Sequence, residues 1–114
     1  MELEERRLRG GLRVVRVAGE VDLGAGGALS ACLTAALEES RGVIVDLEAC
    51  TFIDSSGLSA LLQAAKASTG EDGRRRLAVH APQSGGVRRL FSLTRTKDLL
   101  QVHDDLAGAR AAVQ

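Results

Sequence analysis

The chain has 114 residues, the range of one domain built around one core. Hydrophobic residues make up 45% and charged residues 26%, which excludes a disordered or fibrous class. Fifteen basic side chains balance fifteen acidic ones, and two phenylalanines stand without Trp or Tyr. The chain therefore has neither a net field to draw nucleic acid or anionic membrane nor a platform for stacking bases.

Taken in order, residues 2–8 and 12–18 alternate in polarity on either side of Gly10-Gly11, which predicts an N-terminal β-hairpin. The opening MELEERRLRG has no apolar signal region, and no later run approaches membrane-spanning length, so a cytoplasmic protein without a membrane partner is expected. After GEVDLGAGG, with Gly24, Gly26 and Gly27 read as a flexible lead-in, Leu29, Cys32, Leu33, Ala36 and Leu37 recur at three- and four-residue spacing. That spacing predicts an amphipathic helix ending near Ser40. Cys32 and Cys50 lack the clustered spacing of a metal site and are read as reduced thiols, and no metal or cofactor is expected.

GVIVDL, residues 42–47, is the short, β-branched, almost wholly apolar pattern of a central strand buried on both faces. Beyond a polar hinge, Leu58, Leu61, Leu62 and Ala65 mark a second helix that fades at ASTGEDG. RRRLAVHA predicts a strand with Arg74, Arg75 and Arg76 at its solvated start. Pro82 and Ser84 then introduce a helix carrying Val87, Leu90 and Phe91. TKDLLQVH suggests a short last strand and DDLAGARAAV a closing helix whose first turn suits Asp104 and Asp105. This rhythm predicts one α/β domain over residues 1–114, with a central, mostly parallel sheet, an N-terminal hairpin and about four helices.

The hinge within VIVDLEACTFIDSSGLSALL holds Asp54, Ser55, Ser56 and Gly57 side by side. One reading is that a serine caps the following helix by accepting an N–H of its first turn. The other is a modifiable hydroxyl. Ligands and partners gather where parallel strands end and helices begin, and a helix start tolerates the charge of about −1.5 to −2 that a phosphate adds. Parallel neighbours would place Asp22, Ser55 and the turn from Pro82 to Gly85 on one surface.

GEVD, VIVDLEACTFIDSSGLSALL, VRRLFSLT and LLQVHDDLAGA, in that order and across nearly the whole chain, resemble the anti-sigma factor antagonists built on the STAS domain. FIDSSGL is the specific block. The resemblance implies a bacterial switch protein, monomer or weak dimer, whose bare form binds an anti-sigma factor that is also a serine kinase and so frees a sigma factor. Phosphorylation would release that partner, and a PP2C-type phosphatase would restore binding. It assigns the acceptor to Ser55, with Ser56 as second choice, and a partner-binding set of Asp22, Asp54, Ser55, Ser56 and Gly57. Arg95 stands where the family more often has a small turn residue, near the expected docking surface. Within the same family, a scaffold that is never phosphorylated or a stressosome-type module is the alternative.

A hydrolase using Ser55 with His80 or His103 lacks the G-x-S-x-G elbow. A nucleotide site at Gly24–Gly27 lacks both G-x-x-x-x-G-K-[ST] and G-x-G-x-x-G. A binding module, not an enzyme, is therefore expected.

Overall fold

The computed structural model describes residues 1–22 and 24–114. Strands β1 (Glu2–Leu8) and β2 (Leu12–Val21) form the expected hairpin, joined by a 3-10 turn at Arg9–Gly11. Helix α1 (Ala25–Glu39), strands β3 (Gly42–Asp46) and β4 (Cys50–Ile53) and helix α2 (Ser55–Ala67) follow. Strand β5 (Leu77–His80), helix α3 (Gly86–Thr94), strand β6 (Val102–His103) and helix α4 (Leu106–Val113) complete the described chain. The sheet runs β1-β2-β3-β5-β6, with only β1 antiparallel, and β4 is attached to β2.

Alternation in the strands divides the apolar residues between two cores. On one face Val15, Val17, Val43, Val45, Leu77 and Val79 meet Leu29 and Leu33 of α1, Leu61 of α2 and Phe91 of α3. On the other, Leu12, Val14, Ile44 and Ala78 are covered by Ala109 and Val113 of α4. Each large aliphatic side chain removed from water contributes about 1.5–3 kcal/mol, so the three-helix layer dominates. Cys50 is buried in that layer and Cys32 packs against it, both as free thiols. Burial is the main cause that pushes both upward in pKa.

Four elements differ from their sequence-based outlines, β4 by being a separate strand that the sequence reading did not outline. β2 continues through Val21, because beyond Arg16 its parallel partner changes from β3 to β4, with a register shift in the β4 pairing at Gly19/Glu20. Gly19 takes φ 83°, a left-handed value that glycine adopts without steric cost, and donates its N–H to the Ala49 carbonyl at 3.0 Å. α1 starts at Ala25, so Gly26 and Gly27 lie inside the helix, not in a lead-in. The last strand is only Val102–His103, the residues before it forming turns.

The basic run Arg74–Arg76 precedes β5 and is tied down, not simply solvated. Arg76 donates to the carbonyls of Leu37 and Ser40 at the end of α1, Arg74 to the backbone oxygen of Gln114, and Arg75 to the carbonyls of Asp98 and Leu99. Cations at helix C-termini are favoured by the partial negative charge there.

Candidate functional site

Register brings the hinge together. Val21 and Ile53 are paired across the parallel β2 and β4, so Asp22 and Asp54 follow neighbouring residues at the same sheet edge. The N–H of Asp54 donates to the Val21 carbonyl at 2.9 Å, and the Asp22 carbonyl accepts from Ala25 at 2.7 Å as α1 begins. Asp22 is exposed. Parallel pairing thus places both strand-to-helix turns beside each other, as expected from the sequence.

The cap on α2 is Asp54, not a serine. Its Oδ1 accepts the backbone N–H of Gly57 at 2.9 Å and the hydroxyl of Ser56 at 2.7 Å. The Ser56 hydroxyl first, then the Gly57 N–H, hold the Asp54 carboxyl below the usual carboxylate range. Ser55 opens the helix, is exposed, and its hydroxyl makes no hydrogen bond to any of the described residues. Of the two hydroxyls, Ser56 is engaged and Ser55 is open to reagents from solvent.

Gly57 is buried, and a Cβ there would lie 2.6 Å from Val21 Cγ1 and 2.8 Å from Ile53 Cγ2. Its service is to let the first turn of α2 sit directly on the ends of β2 and β4. A partner at this corner therefore meets the neighbours of Gly57 and not Gly57 itself.

The turn after β5 lies at the same end of the sheet but is not next to the hinge strand, since β5 pairs with β3 and β6. It approaches β4 through Gly86, whose Cβ position is 3.9 Å from the Thr51 carbonyl. Asp104 fastens this turn by accepting from Gln83 at 2.7 Å and pairing with the buried Arg88. The Gln83 bond is the chief cause that holds the Asp104 carboxyl low. Asp104 is thus a brace, and Asp105 alone caps α4. Arg95 lies at the far end of α3, away from α2's first turn, at φ 57°. That left-handed value is one a small residue adopts more readily.

Two residues at the site escaped the sequence reading. Gly26 in α1 faces α2 so closely that a Cβ would stand 2.8 Å from the Ser56 carbonyl oxygen, and its signal was only one glycine among three. Phe52, the residue of β4 paired with Glu20, is 48% exposed, whereas Phe91 is fully buried. An exposed ring two residues before Asp54 stands out only once CTFI is recognised as a strand. His80, considered above as a base for Ser55, points its ring nitrogens at Asp46 (2.9 Å) and Glu48 (3.4 Å). No helix among the described residues is long and apolar enough to cross a membrane.

Known proteins share this fold. An anti-sigma factor antagonist from Mycobacterium paratuberculosis superposes with a TM-score of 0.83 at 26% identity, covering 98% of this chain and 92% of that one. The Bacillus cell fate determinant SpoIIAA in its phosphorylated form gives 0.70 at 21% identity, covering 99% and 100%. A sulfate transporter family protein from Wolinella succinogenes gives 0.72 at 18% identity, covering 95% and 88%, so the fold also occurs outside the antagonists. The sequence pattern of the STAS domain matches residues 5–109, and the chain belongs to the STAS domain family, with the fold of the anti-sigma factor antagonists.

Proposed function

We propose that the chain works as a single STAS unit and antagonises an anti-sigma factor. Its bare form binds that partner, which is also a serine kinase, and phosphorylation of Ser55 ends the binding. A PP2C-type phosphatase restores it. The observation that carries this reading is the division of labour at the start of α2, where Asp54 caps the helix, Ser56 supports the cap and Ser55 is exposed without a bond. Asp22, Asp54 and Ser56 frame the acceptor and Phe52 adds apolar contact area. Gly57 and Gly26 let the framework close. The setting is bacterial and cytoplasmic, and the protein acts by binding and not by turnover.

A phosphate on Ser55 brings a charge of about −1.5 to −2 beside two carboxylates, and the free N–H groups of the helix start make the modified fold tolerable. A surface fitted to the bare hydroxyl then meets a bulky, hydrated dianion. Losing about 4 kcal/mol of contact weakens binding on the order of a thousandfold. Titrating Ser55→Ala and Ser55→Asp proteins against the anti-sigma partner tests this. Tight binding by the first and weak binding by the second is expected, and equal affinity refutes the proposal. The mutual support comes from the 26% identical antagonist, which shares 98% of this chain's length.

A further inference from the structure

The end of the sheet opposite Ser55 gathers basic residues that the switch does not use. Parallel strands fed by crossover helices bring helix C-termini to that end. Arg41, Arg74, Arg75 and Arg76 line one groove of ≈ 610 Å³ there. Each guanidinium is steadied by backbone oxygens: Arg41 by Gly10 at 3.4 Å, Arg74 by Gln114 at 3.1 Å, Arg75 by Asp98 at 2.6 Å, and Arg76 by Leu37 and Ser40, both at 3.1 Å. None of the four pairs with a side-chain carboxylate within 4.0 Å among the described residues, whereas Arg13 and Arg88 do.

The peptide carbonyls of Gly10, Asp98, Leu37 and Ser40 hold Arg41, Arg75 and Arg76 in place without neutralising them. A guanidinium carries five N–H donors, and a helix end offers only a fraction of a charge. The groove also contains Glu71 and Asp72, and Asp72 is turned inward to the Arg74 backbone N–H at 2.9 Å. Four arginine side chains against two carboxylate side chains leave the side-chain balance of the lining at +2. The overall neutrality of the chain conceals this local excess.

We propose that this groove binds an acidic stretch of a partner polypeptide, with carboxylates taking the spare paired donors of Arg41, Arg74 and Arg75. Forked guanidinium donors match carboxylates in geometry as well as charge. No aromatic ring lines the groove to stack a base, Val113 is its one apolar side chain, and the two acids interrupt any continuous track for a phosphate backbone. Ser55 does not line this groove, and its occupancy is expected to be independent of the state of Ser55.

The test is fluorescence anisotropy of a labelled oligo-glutamate peptide with the full chain at low salt, where such pairs are least screened. Saturable binding is expected, unchanged in Ser55→Asp and in Arg89→Ala, which alters an exposed arginine of α3. In Arg41→Ala/Arg74→Ala it should weaken by about tenfold or more. Arg41→Lys/Arg74→Lys should fall between, and circular dichroism should report an unchanged fold for all of them. Absence of saturation, equal binding by the double alanine protein, or displacement of the peptide by a single-stranded oligonucleotide at lower concentration would each overturn the proposal. So would concentration-dependent self-association of the chain that excludes the peptide.

Discussion

Helices α2 and α4 begin with the same cap and differ in what the cap encloses. Asp54 accepts the N–H of Gly57 at 2.9 Å, and Asp105 accepts that of Gly108 at 2.7 Å. Between aspartate and glycine α4 places Leu106 and Ala107, while α2 places Ser55 and Ser56. The molecule therefore contains its own control, for a cap of this geometry needs no hydroxyl. Leu106 packs against the smaller core, whereas Ser55 faces solvent. Packing gives Leu106 a task in the α4 turn but leaves Ser55, at the matching position, without one. That surplus is what points to a regulatory use.

The largest expected difference between the two turns lies at their glycines. Gly57→Ala forces a methyl against Val21 and Ile53, and such overpacking costs about 1–3 kcal/mol. Gly108→Ala meets Asp105 Oδ1 at 3.0 Å and the His103 ring at 3.3 Å, side chains that can give way. Its cost is offset by the helix preference of alanine, about 1 kcal/mol. Chemical denaturation of both proteins should place the Gly57 variant well below the other, and equal midpoints would mean the α2 corner is looser than described.

A smaller contrast concerns the first helical positions. Leu106→Ser removes a partly buried apolar side chain and should lose about 1–2 kcal/mol, whereas Ser55→Ala should stay within about 0.5 kcal/mol of the parent. A marked loss of stability in Ser55→Ala would give that hydroxyl the structural role denied to it here.

The smallest effect is one of titration. The Asp54 carboxyl is held below its unfolded value of about 3.9, so its contribution is complete above that pH. It disappears as pH falls through the lower, folded value. Ser56→Ala removes the largest cause of the depression, so Asp54 should titrate at a higher pH and acid unfolding should begin slightly earlier. Carbon-detected NMR titration of the side-chain carboxyl checks the direction, and an unmoved Asp54 would mean that Ser56 does not support the cap.

Much of this was legible from residue order. The hairpin, the buried GVIVD strand and the D-S-S-G corner each carry a strong local signal, since alternation, β-branching and capping chemistry all act over a few residues. β4 was not separated from β3, because CTFI is only four residues long and its pairing depends on a bulge in a distant strand. α1's true start was hidden because glycine disfavours helix on propensity, while the close approach of α2 to Gly26 demands it. The cap fell to Asp54 over the serines because several adjacent side chains could all accept an N–H. Only backbone geometry selects among them.

Phosphosite mapping tests the central claim most directly. The wild-type chain and Ser55→Ala are incubated with an anti-sigma kinase and ATP, and their peptides are sequenced by mass spectrometry. One phosphate on Ser55, and none in the alanine protein, is the predicted result. A phosphate retained in Ser55→Ala, or carried on Ser56 in the wild type, would contradict the assignment of the free hydroxyl as the switch.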